Sequence, residues 1–486
     1  MSTRKIQLAL VLALVFIFNF LFWNEKMGLN CLVFTPIYLG ALWFSFPESR
    51  YTRGFQITAI GTLLCAIMIT WHNSGAAKLA LFISGMCAAG FAQSSNLKYV
   101  LNAFLQYLNS MAFMIAPFFR SMGKESDEKV ERTTRRKFRL GFLPLLVIVF
   151  FYGLYYLSNE KFAALSDGFW SQLGRLFQWD ISLSHIFFVI FALLICGGAI
   201  WKYNANIIEQ TPDDLQHIRP KRNDTTLSHG MLDLVKEYTQ SQSLLWILNG
   251  MLFLVNCTDI WYVWFDFGDE ARQDLKSYVH EGTYSLIFSI VVAIFVLFYV
   301  FRKNLNFYPD NQYLKLAATI WLAQNAVLAL SVGIRNWRYI DIHGLAYKRI
   351  GVFLFLLLVF FGIYTLWQKI GQRKTMHWLW KRSGWAFYGL LVLNACISWD
   401  TFITRYNLSG RPKGTIDIHY LIHTVSDKNL YILEENKERL PNISAYPAMG
   451  AAEIEDQISD KRRKFTETQS MITGKSWNGA DDRNRR

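Results

Sequence analysis

The sequence predicts an all-α polytopic membrane protein, a bundle of about eleven transmembrane helices followed by a short helical C-terminal tail. Of the 486 residues, 52% are hydrophobic and 16% are aromatic. The apolar residues gather into runs of about eighteen or more, which is the length that spans a bilayer. Basic residues exceed acidic ones, which gives a formal net charge of +14. The lysines and arginines lie mainly in short loops between the apolar runs, as the positive-inside rule expects.

Each predicted span is an apolar run bounded by polar or charged residues. The spans lie near 6–23, 29–46, 54–71, 76–93, 140–158, 183–203, 243–266, 282–301, 314–334, 349–369 and 385–403. The basic residues concentrate in alternate loops, which predicts a cytoplasmic N-terminus and an extracytoplasmic C-terminus. The first run ends without a cleavage site, so we expect it to remain as the first span.

Two further helical segments are predicted to lie along the membrane surface. Residues 97–119 are apolar enough to span, but a span there would place the most basic loop, 120–139, on the outside. We therefore predict an interfacial helix on the inner leaflet. The amphipathic run 162–177 predicts a similar helix on the outer side.

The composition divides the chain into four regions. Residues 1–120 form an N-terminal membrane region of four helices plus the interfacial helix, and 121–242 hold two helices with basic cytoplasmic loops. Residues 243–406 form a five-helix membrane domain, and 407–486 form a polar helical tail. No convincing internal repeat relates the first half to the second, which counts against the inverted-repeat transporters.

The tail is predicted to contain two helices. The first follows Ser426 as a candidate N-cap and ends before Pro441, and the second covers about 450–470. The lone Trp477 near the C-terminus suggests that this last segment docks on another part of the protein.

Three predicted spans of the second half carry polar residues at helical spacing. A polar side chain in lipid costs free energy, so these stripes should face one another inside the bundle. Hydrogen bonds between helices explain the Asn, Gln and Ser residues without any further role. The stripes are Asn249, Asn256 and Asp259; Gln324, Ser331 and Arg335; and Asn394 with Ser398.

Asp259 has the least favourable predicted environment of these residues, since this carboxylate lies on the order of 10 Å inside the end of its predicted membrane helix. It could carry a proton or cation. Alternatively, it is a buried carboxylate bonded to an arginine or a tyrosine hydroxyl.

Ionisable residues from five predicted helix ends come near one membrane surface and form a candidate outer-face polar cluster. Its members are His280, Glu281, Arg335, Arg338, Lys348, Arg349, Asp400, Asp259 and Asp266. His72-Asn73, in the predicted outer turn after the third span, could join them. The basic residues fit an anion such as phosphate, a lipid headgroup or a carboxylate. The alternative is a lid in which these bases pair with nearby aspartates.

Helix dipoles separate the ordinary members of this cluster from the unusual ones. Glu281 begins its predicted helix, a favourable place for a carboxylate. Asp266 and Asp400 lie at predicted C-terminal ends, and Lys348 and Arg349 lie at a predicted N-terminal start. These four oppose their helix dipoles, so we expect them to pair with each other or with a bound group.

No motif for catalysis or metal binding accompanies the cluster. His280-Glu281 would need a second histidine four residues on for a zincin helix, and that position is Tyr284. The sequence has no GxSxG, and its six cysteines lie in apolar runs without a CxxC pair. We therefore predict no catalytic residue, no metal and no cofactor. The basic residues come with no nucleic-acid-binding motif.

Several strings resemble a family of bacterial multi-pass membrane proteins known only as a domain of unknown function. The resemblance covers roughly 240–425 strongly. The strings are "WYVWFDF" (261–267), "VHEGTYSLIFSI" (279–290), "NLNFY" (304–308), "GLAYKRIGV" (344–352) and "WDTFITRYNL" (399–408), with weaker matches at "WHNS" (71–74) and "SWNGADDR" (476–483). The resemblance implies a bacterial inner-membrane protein and supplies no catalytic residue.

Three functions remain open from the sequence. The first is a non-enzymatic sensory or regulatory component that binds an anionic small molecule, a lipid headgroup or a partner through the outer cluster. The second is a proton- or cation-coupled transporter with Asp259 as carrier. The third is a membrane enzyme acting on a lipid-linked substrate, with Glu281 or Asp400 as base. The lipid bilayer is the expected surrounding in each, and the oligomeric state stays open.

Overall fold

The structure is a computed structural model and confirms the predicted all-α class. It describes residues 3–114, 151–152, 155–156, 158–177, 183–203, 227–265, 275–301, 305, 311–412, 416–442 and 450–485. Within these ranges the regular elements are helices, without a strand. The chain forms two compact units. The first comprises 1–63, 83–97 and 101–209, and the second comprises 64–82, 98–100 and 210–486.

The helices are numbered here in chain order. The earlier ones are α1 (Thr3–Phe22), α2 (Leu29–Ser45), α3 (Arg53–His72), α4 (Gly75–Gln93), α5 (Val100–Phe113), α6 (Glu160–Phe177) and α7 (Leu183–Ile200). The later ones are α8 (Leu227–Ile260), α9 (Leu275–Val300), α10 (Gln312–His343), α11 (Tyr347–Gly371), α12 (Met376–Ala395), α13 (Trp399–Leu408), α14 (Leu430–Glu435), α15 (Ala451–Ser470) and α16 (Gly479–Arg485). A π-helical turn, Trp261–Phe265, continues α8.

The protein is membrane-embedded. Six of the described helices are long and apolar enough to cross a bilayer, and the bent pair α12 and α13 makes a seventh if it is counted as one span. The six spans are Lys5–Phe22, Arg53–His72, Gly75–Gln93, Val235–Ile260, Gln312–His343 and Tyr347–Gly371. The predicted span 140–158 falls largely outside the described residues, and the count of eleven stays a prediction.

Helix α5 occupies part of the segment that was predicted to be interfacial. Its 14 residues extend about 21 Å, which is shorter than the roughly 30 Å of a bilayer core. It packs closely on α4, because a Cβ at Gly90 would lie 1.8 Å from the carbonyl oxygen of Ala103. Gln106 donates a hydrogen bond to the Tyr203 carbonyl (2.9 Å). These contacts make α5 a packed helix of the first unit.

The second unit has a continuous apolar core between α8, α9, α10 and α11. Leu245, Leu297, Ala318 and Leu366 are among its fully buried side chains. The four helices therefore bury apolar stripes against one another, while other faces keep large hydrophobic side chains exposed, as expected of helices in contact with lipid.

Residues 416–442 and 450–485 form a compact helical structure that we call the cap. The two predicted helices are confirmed: Ser426 accepts a hydrogen bond from the Lys428 amide (3.3 Å) at the start of the first, and the second is α15. The cap shares an apolar core with the ends of the membrane helices. Leu421 and Leu430 of the cap belong to one buried cluster with Ile403 of α13. The predicted anchor Trp477 is 43% exposed, so other residues dock the last segment.

Candidate functional site

The polar stripes of α8 and α10 face each other, as predicted. The Asn249 side chain donates to the Ala317 carbonyl (2.9 Å) and accepts a hydrogen bond from the Gln324 amide (2.9 Å). Asn256 donates to the Gln324 carbonyl (3.1 Å). These bonds satisfy neutral polar groups within the interface, which gives them a structural role. Asn394 instead accepts a hydrogen bond from the indole of Trp399 (2.7 Å).

Asp259 continues this stripe toward the end of α8. Its carboxylate accepts hydrogen bonds from the Ser331 hydroxyl and the Arg335 guanidinium, and both members of the ion pair are 8% exposed. The predicted alternative of a buried aspartate bonded to an arginine is therefore confirmed. One turn further on, Arg338 donates to the Trp264 carbonyl (3.1 Å) in the π-helical turn.

Lys348 and Arg349 lie in the first turn of α11, where the sequence placed them. Arg349 donates to the carbonyls of His343 (3.0 Å) and Gly344, which end α10, and its guanidinium lies 4.3 Å from the ring centroid of Tyr339. It thus opposes the dipole of α11 but satisfies the C-terminal carbonyls of α10. Lys348 is exposed to the surroundings.

The prediction that Asp400 opposes its helix dipole is wrong. The predicted span 385–403 breaks after Ala395, and α13 begins at Trp399 with a bend of 64°. Asp400 therefore lies in the first turn of α13, where a carboxylate is favourable. A hydropathy pattern does not reveal this break, because the apolar composition continues through it.

Asp400 is 3% exposed and accepts several hydrogen bonds. The Tyr347 hydroxyl (2.6 Å), the Ser426 amide (3.2 Å) and the Ser426 hydroxyl all donate to its Oδ1 atom. None of the hydrogen bonds among the described residues reaches Oδ2. One oxygen of this buried carboxylate is therefore occupied, and the other can accept from a bound group.

His72 ends α3, next to Asn73, which has a left-handed φ of 51°. The imidazole is 2% exposed, and neither ring nitrogen has a hydrogen-bond partner of ordinary geometry among the described residues, although the Ala395 carbonyl lies near. The charges that act on the ring include those of Asp400 and Arg483.

The last helix of the cap completes this arrangement. A Cβ at Gly479 would lie 2.9 Å from the Trp71 carbonyl oxygen, so only a glycine allows the two segments to approach this closely. The strings "SWNGADDR" and "WHNS" therefore meet in space. Arg483 from α16 stacks 5.9 Å from the ring centroid of Tyr431, and its buried Nε atom has no hydrogen-bond partner within the described part of the chain.

A buried ion pair fixes α16 in this position. Lys428 donates to Asp481, which also accepts from Gln469 (2.7 Å) and Asn478 (2.9 Å). Burial raises the pKa of Asp481, but the Lys428 ammonium and the three side-chain hydrogen bonds outweigh it and hold the pKa below its ordinary value. The carboxylate is therefore charged and paired near neutral pH.

We call His72, Asp400 and Arg483 the junction site, because they join helix ends to the cap. Arg335, Arg338 and Asp259 belong instead to the interface of α8 and α10. Asp266 lies outside the described residues, and so do the side chains of His280 and Glu281, whose backbone belongs to α9. Across the described ranges, no group of three or more His, Cys, Asp or Glu residues could hold a metal ion.

Sequence reasoning missed Tyr347 and Ser426 as hydrogen-bond donors to Asp400, and it missed Arg483 as a charge that acts on His72. One sequence signal pointed to the site: "WHNS" and "SWNGADDR" are both among the strings that resemble the family of unknown function. Their separation along the chain hid the contact, which depends on how the cap folds back.

The sequence profile of a domain of unknown function, DUF4153, matches residues 9–436. The chain belongs to the DUF4153 family. The match includes His72 and Asp400 of the junction site, whereas Arg483 lies beyond it. Comparison with curated proteins and with solved structures gave no match. The family description names no activity.

Proposed function

We propose that this DUF4153 protein is a non-enzymatic sensory or regulatory component of the bacterial inner membrane that binds a small oxyanion at the junction site. The observation that carries this proposal is the set of unused polar atoms there. The Arg483 Nε atom is buried without a hydrogen-bond partner among the described residues, and the His72 ring nitrogens are buried with only the nearby Ala395 carbonyl, outside ordinary hydrogen-bond geometry. Such atoms cost about 1–3 kcal/mol each when they stay unsatisfied.

The chemistry of these atoms selects a hydroxyl-bearing oxyanion. Arg483 donates through Nε, and His72 donates through at least one ring nitrogen, so both suit the oxygens of an anion. Asp400 Oδ2 repels a fully ionised ligand but accepts from a hydroxyl. Hydrogen phosphate offers both kinds of oxygen, whereas sulfate has no proton to donate at neutral pH.

The origin of the three residues supports a sensory or regulatory role. His72 and Asp400 come from the ends of α3 and α13, while Arg483 comes from α16 of the cap. An anion bound by all three links the cap to the helix ends. Binding of the anion therefore stabilises the contact between the cap and the helix ends. A partner protein can recognise this difference between the bound and free states.

The test is thermal unfolding of the purified full chain in detergent at pH 7, at constant ionic strength. Inorganic phosphate at about 100 times its Kd should stabilise the protein by about 2.7 kcal/mol, and sulfate should do much less. His72→Leu and Arg483→Leu should abolish the phosphate effect, and Asp400→Asn should reduce the preference for phosphate over sulfate.

Arg463→Gln is the matched control, because this exposed arginine of the cap pairs only with surface carboxylates of its own helix among the described residues. It should leave the phosphate effect unchanged. Equal melting temperatures in phosphate, sulfate and chloride would contradict the proposal. So would a phosphate effect that survives in Arg483→Leu.

The proposal places the N-terminus in the cytoplasm and the cap outside it, as the distribution of basic loops favours. Reporter fusions at residues 230, 275 and 420 test this topology. An outward signal from 275 and 420 with an inward signal from 230 is expected. A cytoplasmic signal from 420 would contradict it.

The transporter and enzyme alternatives gain no specific observation. Asp259 is already bonded to Ser331 and Arg335, so it needs no transported cation to explain its place in the helix. Asp400 accepts hydrogen bonds through one oxygen and lies in a buried position at a helix start. The hydroxyls of Tyr347 and Ser426 that donate to it have structural explanations, since Ser426 also accepts from the Lys428 amide as the N-cap of the first cap helix and Tyr347 begins α11.

A further inference from the structure

An apolar groove of about 550 Å³ runs between α10 and α11. Its length along α10, from Ala329 to Arg338, is about 14 Å at 1.5 Å per residue. The two helices are antiparallel and joined by a short turn, so Arg338 and Phe353 lie at the end of the groove nearer that turn. Both helices are long and apolar enough to cross a bilayer, so the groove lies in a membrane-spanning part of the protein.

The groove exists because a glycine leaves room between two rows of large side chains. Gly333 has no side chain, and a Cβ there would touch only Leu356, at 3.4 Å. The walls face outward: Leu330 is 48% exposed, Leu357 is 58% exposed and Trp337 is 59% exposed. Exposed leucines on membrane-crossing helices are in contact with lipid chains.

One end of the groove is cationic. Arg338 lines it beside Trp337, and the carbonyl of Trp264 accepts one of its hydrogen bonds (3.1 Å) and fixes the position of the guanidinium. Arg338 lies five residues before the end of α10, a depth from which a long side chain reaches the headgroup region. An exposed tryptophan at the same level is typical of the membrane interface.

An apolar channel that ends at a guanidinium complements an amphipathic molecule with one anionic head. We propose that the groove holds an acyl chain of an anionic phospholipid whose phosphate binds Arg338. Guanidinium groups bind phosphate through paired hydrogen bonds, and the groove walls replace the lipid neighbours of the chain. This site is separate from the junction site and does not depend on the function proposed for it.

The experiment counts phospholipids that stay bound to the full chain during native mass spectrometry. The protein is first incubated with equal amounts of phosphatidylglycerol and phosphatidylcholine. The wild type should retain phosphatidylglycerol preferentially. Arg338→Gln keeps a donor for the Trp264 carbonyl but loses the charge, and it should lower this preference about tenfold. Gly333→Phe fills the groove and should remove both lipids.

Lys348→Gln is the control, because this exposed lysine lies near the same membrane level but does not line the groove. It should leave the lipid preference unchanged. An unchanged preference in Arg338→Gln overturns the proposal, as does an equal loss in Lys348→Gln, which would show a general effect of surface charge. If Gly333→Phe fails to fold, the comparison of Arg338→Gln with Lys348→Gln decides the question.

Discussion

The buried pair of Asp259 and Arg335 gives the most direct stability prediction. Both residues are 8% exposed within a membrane-spanning interface, and Ser331 donates to the same carboxylate. Asp259→Leu leaves the guanidinium without its counter-charge, which costs about 3–5 kcal/mol for a buried pair. The double variant Asp259→Leu/Arg335→Met removes both charges. Its free energy of unfolding should lie within about 1 kcal/mol of the wild-type value or above it.

The assay is a double-mutant cycle on the free energy of unfolding in mixed micelles. The coupling energy between the two positions should be about 3 kcal/mol or more. Asn256→Leu is the control, since it removes one neutral hydrogen bond of the same interface and should cost only about 0.6 kcal/mol. A single-variant loss below about 1 kcal/mol, or additive losses in the cycle, would refute the reasoning.

Two further predictions concern the cap. Gly479→Val should destabilise the docking of α16 by about 1–3 kcal/mol, because a Cβ would lie 2.9 Å from the Trp71 carbonyl oxygen. The backbone amides of residues 479–485 should then exchange hydrogen faster. Burial lowers the pKa of Lys461 to about 8 from the ordinary 10.5 of the unfolded chain. Between pH 8 and 10.5 the unfolded chain therefore binds more protons than the folded chain, so the free energy of unfolding should rise with pH by at most about 3 kcal/mol. Melting curves of Lys461→Met should lack this rise.

Matched variants from the same cap control both measurements. Gly450→Ala adds a methyl group in open space and should leave the exchange of α16 unchanged. Lys464→Met removes a 68% exposed lysine and should keep the alkaline rise in stability. Unchanged exchange in Gly479→Val would mean that the cap does not approach Trp71, and an alkaline rise that persists in Lys461→Met would assign it to another group.

Features governed by local periodicity could be predicted from the sequence. Asn249, Asn256 and Gln324 recur at helical spacing in apolar runs, and the cost of polar groups in lipid implied that they face each other. The same cost identified Asp259 as a residue that needs a partner. Arg335 is that partner, together with a serine that one helical turn places on the same face.

Features that depend on chain reversal could not be predicted in this way. The break between α12 and α13 moves Asp400 from a helix end to a helix start, yet the residues at the break are as apolar as the span before them. The approach of Gly479 to Trp71 depends on the folding of the entire cap. Arg483 therefore looked like one charge among many in a polar tail.

The shared apolar core of the cap has a consequence for how this protein is made. Leu421, Leu430 and Leu433 of the cap are buried in one cluster with Ile340 of α10 and Ile403 of α13. A ribosome synthesises the cap after these helices, and part of the apolar surface that buries the cap belongs to helices that must already be inserted. Cap closure must therefore follow insertion of these helices, and a quality-control protease that recognises an unclosed cap would detect failures in insertion that arise earlier in the chain.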